Sequence, residues 1–287
     1  RGHIEKEGAV RVGFVRSKSR VQVPIQKCYV SEPGINTVIQ QLSGKVIDSA
    51  PHRFRLELQD LPYFHERGEP FVLAAIHPVN KRHDLSSLKA AIEKISVVRW
   101  VGYAHEVKRL EAAPFETHQG ITYHTLPTLF QQVNIGQNHL LRTMIRKHVK
   151  SSKPKRVLDF YGGSMNLSLG LSDLGCEIIG VEAHRFAVKA MEANTATNQL
   201  EGFSFVNEMA DRYVERAVES HQSFDLVICD PPRSGLEKAV DGLLKLSPAE
   251  IIYVSCNPAT LARDLKILKS NYDIVKIKAL DFFPNTF

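Results

Sequence analysis

The stretch Val157-Leu158-Asp159-Phe160-Tyr161-Gly162-Gly163-Ser164-Met165-Asn166 decides the fold of this 287-residue chain. An apolar strand ends there in a turn with two adjacent glycines, where the backbone bends sharply towards a helix and a ligand can approach closely. The next apolar run ends at Glu182, roughly 20 residues after the turn, where a carboxylate can accept both hydroxyls of a ribose. The pattern predicts a parallel α/β sheet with a nucleoside site at its strand ends.

Strand and helix patterns alternate regularly after residue 125, which is typical of a doubly wound, Rossmann-like sheet. The predicted strands cover residues 156–160, 177–181, 203–206, 224–229, 250–254 and 272–279. The predicted helices cover residues 138–149, 167–174, 185–197, 212–219, 236–245 and 259–268. We therefore assign residues 125–287 to one α/β domain.

The preceding part of the chain has a different pattern, with short strands interrupted by only two helices. The predicted strands cover residues 9–15, 21–25, 52–58, 71–77 and 97–104. The predicted helices cover residues 35–42 and 85–95. This pattern indicates a smaller α+β domain over residues 1–124.

Composition excludes several classes of protein. No apolar run approaches the roughly 18 residues that a membrane helix needs, and the start has neither a signal-peptide core nor an initiating Met. The four cysteines form no Cys-x-x-Cys pair, and the twelve histidines show no metal-ligand spacing. We expect a cytoplasmic monomer without a metal site or disulfides, and we expect this chain to be part of a longer protein.

The net charge of +6 suggests a polyanionic partner, and two stretches without acidic residues carry much of it. The first is a strand-like alternation of basic and apolar residues whose sheet face is suited to meet phosphates. Its basic residues are Arg11, Arg16, Lys18, Arg20 and Lys27. The second, residues 117–158, has Arg142, Arg146 and Lys150 at helical spacing, so a solvated helix face is an equally good interpretation.

Two loops carry the candidate catalytic groups. Asp230 begins Asp230-Pro231-Pro232-Arg233 at the end of one predicted strand, and Cys256 follows the end of the next. An acidic-Pro-Pro turn at a strand tip is where methyltransferases hold a base beside a methyl donor, and an exposed thiol there can act as a nucleophile. The two-glycine turn agrees, since a dinucleotide would normally need a third glycine for its pyrophosphate. S-adenosylmethionine has no phosphate and is the expected cofactor.

Taken together, these residues resemble the RNA uracil-5-methyltransferases that use S-adenosylmethionine. The resemblance spans roughly residues 27–287, and its Ser-Cys-Asn-Pro loop is its most specific element. The matching segments are Phe130-Gln131-Gln132-Val133-Asn134, Tyr161 and Asn166 in the first turn, Glu182, Asp230, Ser255-Cys256-Asn257-Pro258 and Asp281-Phe282-Phe283-Pro284.

The resemblance implies a Rossmann-like methyltransferase domain and a role for each matching residue. Cys256 is implied to be the nucleophile, with Asp230 facing both the donor and the base. The residues implied to contact the methyl donor are Gln132, Tyr161, Asn166, Glu182 and Asp230. The implied reaction methylates carbon 5 of a specific uridine in RNA, and we favour ribosomal over transfer RNA as the substrate.

The chemistry of uracil explains why a nucleophile is needed. Carbon 5 is too electron-poor to attack a sulfonium methyl until a thiolate adds at carbon 6. The helix predicted to begin near residue 259, and Arg263 within it, would favour the thiolate of Cys256. The target base must also leave its stack, so we expect the basic first domain to hold the flanking RNA.

The sequence departs from the family in three places. Met165 stands at the last glycine position of the first turn, which leaves the donor affinity open. Cys28 matches the last cysteine of an iron-sulfur set, but its partners are absent, so we expect no cluster. The family's general-base glutamate would follow Phe287 and its oligonucleotide-binding barrel would precede the chain, so a covalent Cys256 adduct is expected to accumulate.

Three alternatives stay open at this point. A cytosine-5-methyltransferase would normally carry its nucleophile in a Pro-Cys or Thr-Cys loop, whereas Pro232 is followed by Arg233. An amino-methyltransferase would have an aromatic residue at Arg233 and would not need Cys256. A non-catalytic RNA-binding protein would explain Met165 and would not bind S-adenosylmethionine.

Overall fold

The chain divides into two compact units in a computed structural model. The model describes residues 2–4, 8–15, 21–29, 31–48, 53–65, 68–69, 71–80, 84–109 and 111–283. Unit 1 comprises Arg1–Glu116 and Leu126–Leu129, and unit 2 comprises Thr117–Thr125 and Phe130–Phe287. The sequence predicts the boundary between residues 124 and 125. In the structure, Thr117–Thr125 belong to unit 2, and Leu126–Leu129 belong to unit 1.

Unit 1 contains a six-stranded sheet in the order β3-β2-β1-β4-β5-β6, antiparallel except for the parallel pair β5 and β6. Its strands are β1 Gly2–Ile4, β2 Val10–Val15, β3 Gln22–Pro24, β4 Arg53–Asp60, β5 Val72–Pro78 and β6 Val98–Tyr103. Its α-helices are α1 Pro33–Leu42, α2 Pro62–His65 and α3 Ser86–Glu93, and a 3-10 helix covers Ala104–Arg109. In β2 the side chains of Val10 and Val12 enter the core, whereas Arg11 and Phe14 are exposed.

Unit 2 contains a five-stranded parallel sheet in the order β11-β10-β9-β12-β13. Its strands are β9 Arg156–Phe160, β10 Glu177–Val181, β11 Phe203–Val206, β12 Leu226–Cys229 and β13 Glu250–Tyr253. Its α-helices are α4 Ile135–Ser152, α5 Arg185–Thr197, α6 Ala210–Glu219, α7 Ala239–Leu246 and α8 Pro258–Leu268. The prediction of a parallel α/β sheet is confirmed, and β9, β10 and β11 have the predicted bounds.

Helices cover both faces of the parallel sheet. In β12, Val227 and Cys229 pack with α6 and α7, whereas Leu226 and Ile228 pack with α4 and α5. Burial on both faces explains why these strands are continuous apolar runs in the sequence. It also leaves the ends of the strands as the places where polar side chains reach solvent.

A two-stranded hairpin, which the sequence analysis did not predict, precedes α4. Its strands are β7 Ala113–His118 and β8 Ile121–Thr125. Asn198, which caps the end of α5, accepts from the Thr122 N–H (2.8 Å) and donates to its carbonyl (2.7 Å). Asn194 bonds in the same way to His124 and also donates to the Ser164 carbonyl (2.9 Å). Two side chains thus satisfy the backbone of β8 as a neighbouring strand would.

Three details differ from the predictions. The predicted helix 167–174 is a 3-10 helix over Leu169–Leu174. The predicted strand 272–279 is wrong, because no described strand pairs with this segment and a strand needs hydrogen-bond partners for its backbone. Arg142 does not lie on a solvated face: it is buried and stacks on the Tyr123 ring, with its guanidinium carbon 3.6 Å from the ring centroid.

The part of the chain that the structure describes holds no helix long and apolar enough to cross a membrane. In the same part, no group of three or more His, Cys, Asp or Glu side chains is arranged to hold a metal ion. All four cysteines are free thiols, and Cys256 is exposed whereas the other three are buried. Cys256 is therefore the thiol that a large substrate can reach.

Candidate active site

The strand order of unit 2 brings the candidate residues to one edge of the sheet. The chain leaves β9 towards β10 on one side and returns to β12 on the other, which opens a crevice at the carboxyl ends of the strands. Tyr161 directly follows β9, Glu182 follows β10 and Asp230 follows β12. Cys256 comes three residues after the end of β13. Ligands of doubly wound sheets bind at this edge.

The first turn and Glu182 are joined by hydrogen bonds. The Gly163 N–H donates to Glu182 Oε2 (3.1 Å), and the His184 N–H donates to Oε1 (2.7 Å). Each carboxylate oxygen retains a further lone pair. Gly163 has a φ of 56°, and a Cβ there would meet no atom within 4 Å, so the turn borders open space. The carboxylate is therefore held ready to accept two hydroxyl groups of a ligand.

Two other residues of this turn have left-handed backbone conformations. Tyr161 has a φ of 64° and Met165 a φ of 65°, values that favour glycine and cost other residues conformational energy. The Met165 side chain is fully buried in the core on the α4 and α5 face of the sheet. Met165 therefore has a backbone conformation that glycine adopts readily, and its side chain lies away from solvent.

A buried carboxyl group, Asp159, lies beneath the turn. Burial, together with the nearby charges of Asp230 and Glu182, raises its pKa to about 7, although the hydrogen bond that the Ser168 hydroxyl donates to Asp159 opposes the shift. The sequence analysis missed Asp159 because it is part of an apolar strand. The available signal was the charge itself, since an acidic residue inside a strand buried on both faces is rare unless paired.

Asp230 has an environment that changes its acidity. Burial raises its pKa to about 6. Its charged form is therefore costly unless a positive group or a hydrogen-bond donor is nearby. A carboxyl with a pKa near neutrality at a strand tip is typical of functional sites, although ion-pair networks also produce such shifts.

The loop that carries Cys256 is tied to the loop that carries Asp230. The Arg233 carbonyl accepts hydrogen bonds from Asn257 Nδ2 (3.0 Å) and Thr260 Oγ1 (3.1 Å). Asn257 Oδ1 also accepts from the Ala259 N–H (3.1 Å) and so caps α8. The exposed thiol thus lies just before a capped helix N-terminus.

Arg263 has a different role from the one predicted. Its guanidinium donates to Asp264 Oδ1 from Nε (2.9 Å) and Nη2 (2.7 Å). The positive charge is therefore balanced largely by that carboxylate.

Asn166 and Gln132, both predicted to contact a donor, have different surroundings. The amides of Asn166 and Asn138 pair reciprocally, with both hydrogen bonds at 2.9 Å, and Arg142 Nε donates to the Asn166 carbonyl (2.8 Å). The Asn166 side chain is therefore held by α4, and its donor contact stays a prediction. Gln132 is half-buried in the segment before α4, and its donor contact also stays a prediction.

The segment that contains Gln132 is anchored at its end. Asn134 Oδ1 accepts from the Gln137 N–H (3.1 Å) and caps α4, while Asn134 Nδ2 lies 3.5 Å from the Phe282 carbonyl oxygen. Two of the matching segments, residues 130–134 and 281–284, thus meet, although Pro284 lies outside the described residues.

Comparison with known proteins gives consistent matches. The model of the tRNA (uracil-5-)-methyltransferase family matches residues 111–287. An uncharacterized RNA methyltransferase of Thermosynechococcus vestitus is 31% identical, over 98% of this chain and 67% of its own. The 23S rRNA (uracil(1939)-C(5))-methyltransferase RlmD of Yersinia enterocolitica is 29% identical, over 98% of this chain and 63% of its own. The chain thus spans about two thirds of the length of these relatives.

The fold also matches a solved structure. The tRNA (uracil-54, C5)-methyltransferase of Pyrococcus abyssi, in complex with S-adenosyl-L-homocysteine, superposes with a TM-score of 0.68. The alignment covers 99% of this chain and 72% of the other, at 23% identity. At this identity the likeness shows a shared fold.

We expect Asp159→Asn to change stability in a pH-dependent way. The folded-state pKa of Asp159 is about 7, against an ordinary value of 3.8. The Asp159 carboxyl group therefore makes its full contribution to stability below its ordinary pKa, and this contribution is lost as pH rises through about 7. Asparagine avoids this loss, so relative to wild type the variant should gain stability from about pH 4 to about pH 8, by at most about 4 kcal/mol. Denaturant unfolding at the two pH values measures the difference.

Asp225→Asn is the matched control. Its pKa is lowered by the backbone N–H groups of Arg156 and Lys155, so Asp225 stabilises the fold above its unfolded pKa and this contribution is lost as pH falls. The control should therefore lose more stability, relative to wild type, at about pH 8 than at about pH 4. An Asp159→Asn effect that is equal at both pH values would contradict the assignment.

Proposed function

Because the chain belongs to the tRNA (uracil-5-)-methyltransferase family, we propose that it transfers a methyl group from S-adenosylmethionine to carbon 5 of a uridine in RNA. The observation that carries the proposal is the exposed Cys256 on a loop hydrogen-bonded to the Asp230 loop. A cysteine with only a structural role would not need to be exposed on such a loop. The same sheet edge carries Glu182 and the first turn, where the donor would bind.

Glu182 is the residue that best fits the donor. S-adenosylmethionine supplies an electrophilic methyl group when it is bound. Glu182 would accept the two ribose hydroxyls with the lone pairs left after its bonds to Gly163 and His184. Gln132, Tyr161 and Asp230 complete the proposed donor site. Asn166 contributes mainly by shaping the turn through its pairing with α4.

Cys256 starts the proposed reaction. Its thiolate adds to carbon 6 of uracil, and the electron pair of the carbon 5 to carbon 6 double bond moves towards the carbon 4 oxygen as an enolate. Carbon 5 then forms a bond to the methyl group as the bond from that methyl to sulfur breaks. Loss of the carbon 5 proton to a base re-forms the carbon 5 to carbon 6 double bond and expels Cys256 as the thiolate with which the reaction began.

Exposed basic and aromatic side chains of unit 1 are suited to contact the RNA. Arg11 and Phe14 are exposed on β2, and Lys27 lies over the exposed Tyr29 ring, 5.4 Å from its centroid. Basic groups can bind phosphates and aromatic rings can stack on bases. The other basic residues predicted for this face lie outside the described residues: Arg16, Lys18 and Arg20.

The class of RNA is a further part of the proposal. We favour ribosomal RNA, because relatives from Yersinia enterocolitica and Haemophilus parainfluenzae, matched over nearly the whole of this chain, are named as 23S rRNA methyltransferases. The family model and the Pyrococcus abyssi protein are named for tRNA instead. Transcripts of both kinds therefore belong in every assay of this chain.

Replacement of Glu182 should weaken donor binding. Glu182→Ala removes two charge-assisted hydrogen bonds to ribose, worth about 3 kcal/mol or more together, so the Kd should rise about 100-fold. Titration calorimetry with S-adenosylmethionine measures the change. Glu177→Ala is the control, because Glu177 begins the same strand, β10, and pairs with Arg156 at the opposite edge of the sheet. Equal Kd values for the two variants would contradict the role of Glu182.

Cys256 should form a covalent complex with RNA that contains 5-fluorouridine. Fluorine cannot leave carbon 5 as a proton does, so the adduct should persist after methyl transfer. Denaturing electrophoresis with labelled RNA and S-adenosylmethionine should show a shifted band for wild type. Cys176→Ala, which removes a buried thiol, should keep the band, and Cys256→Ser should lose it. A band that survives in Cys256→Ser, or none in wild type, would contradict the mechanism.

A further inference from the structure

Asp264 is a fully buried carboxylate in α8 with four hydrogen bonds. Its Oδ2 accepts from the Leu236 N–H and from the Tyr253 hydroxyl, both at 2.7 Å. Its Oδ1 accepts from Nε and Nη2 of Arg263. The sequence analysis did not identify this residue, because an aspartate beside an arginine on a helix usually indicates a surface pair.

Two partners of Asp264 lie at the ends of the two loops of the candidate active site. Leu236 closes the loop that begins at Asp230. Tyr253 is the last residue of β13, three residues before Cys256. One carboxylate therefore connects the end of the Asp230 loop to the start of the Cys256 loop. The Arg233 carbonyl connects the same two loops at Asn257, the residue after Cys256.

The Asp230 loop packs tightly against the Asp264 carboxylate. Gly235 has a φ of 80°, and a Cβ at this position would lie 2.4 Å from Asp264 Oδ2. Arg263 Nη2 also donates to the Ser234 carbonyl (2.7 Å), so the ion pair itself is anchored on the loop. Glycine is the residue that allows this approach.

Burial of the Asp264 carboxylate is by itself a poor means of increasing stability. The cost of removing this charge from water often cancels its attraction to a partner, and the Arg263 side chain is 47% exposed, so that solvent weakens the attraction. The hydrogen bonds do fix geometry, because each has a narrow range of distance and angle. The cluster is therefore better explained by a need for a fixed loop arrangement.

We infer that Asp264 is a positioning residue that sets the placement of Cys256 relative to Asp230. The inference rests on the proposed function, and Asp264 acts through Leu236 and Tyr253. A misplacement of about 1 Å between reacting groups can cost about 100-fold in rate, even from a residue remote from the chemistry. Donor binding depends mainly on Glu182 and the first turn, with which Asp264 shares none of the hydrogen bonds given above, and Asp230 is one further proposed contact.

Asp264→Asn tests the inference with the 5-fluorouridine RNA described above. The variant keeps the shape of the side chain but replaces one carboxylate oxygen with an N–H₂ group. This group would face either Arg263 or the Leu236 N–H, and both are donors that cannot accept a hydrogen bond from it. We expect the rate of adduct formation at saturating RNA to fall about 10- to 100-fold. The RNA concentration that gives half the maximal rate, and the Kd for S-adenosylmethionine, should change far less than the rate, because Asp230 is only one of the proposed donor contacts and Glu182 shares no hydrogen bond with Asp264.

Two further variants complete the test. Tyr253→Phe removes one hydrogen bond of about 1 kcal/mol, so it should slow adduct formation about fivefold, and it decides the matter if Asp264→Asn does not fold. Asp225→Asn loses a carboxylate that holds two backbone N–H groups at the opposite edge of the sheet, and it should not slow adduct formation.

The outcomes separate the inference from the proposed function. An active wild type with slow Asp264→Asn and Tyr253→Phe variants, and a donor Kd that changes far less than the rate, supports the inference. Folded variants that react at the wild-type rate, or that lose donor binding in proportion to rate, would overturn it. Wild type that forms no adduct would overturn the proposed function instead.

Discussion

The rest of the site depends on the two hydrogen bonds that the Arg233 carbonyl accepts. It accepts from Asn257 and Thr260, and so it fixes the loop after β13 against the loop after β12. Neighbouring parallel strands bring the two loops close, but strand pairing alone does not set where Cys256 lies relative to Asp230. Because Asn257 also caps α8, one residue sets both the loop and the helix end behind the thiol.

Charge is the second constraint at this edge of the sheet. Asp159, Glu182 and Asp230 are near enough for the charges of the other two to raise the pKa of Asp159. Burial raises the pKa of Asp230 as well. A sulfonium donor brings a positive charge to these carboxyl groups, which reduces their mutual repulsion. The site is therefore better suited to S-adenosylmethionine than to a ligand that carries phosphate groups.

The sequence predicted the parts of the fold that local patterns determine. Strands β9, β10 and β11 are apolar runs bounded by turns, and their bounds follow from that pattern. The local pattern of a segment does not show whether another strand pairs with it, so the prediction of a strand over residues 272–279 is wrong. The same limit applies to Arg142, which was expected in solvent but is buried against Tyr123. Asp264 was missed because its hydrogen-bond partners come from other elements of the fold.

The chemical identity of the product tests the central claim most directly. RNA transcripts from both ribosomal and transfer RNA, incubated with the chain and S-adenosylmethionine with a ¹³C-labelled methyl group, can be digested to nucleosides and analysed by mass spectrometry. The account predicts label in 5-methyluridine, either in free RNA or in RNA released by proteolysis of a Cys256 adduct. Label in methylated cytidine or adenosine, or unlabelled RNA despite bound donor, would contradict it.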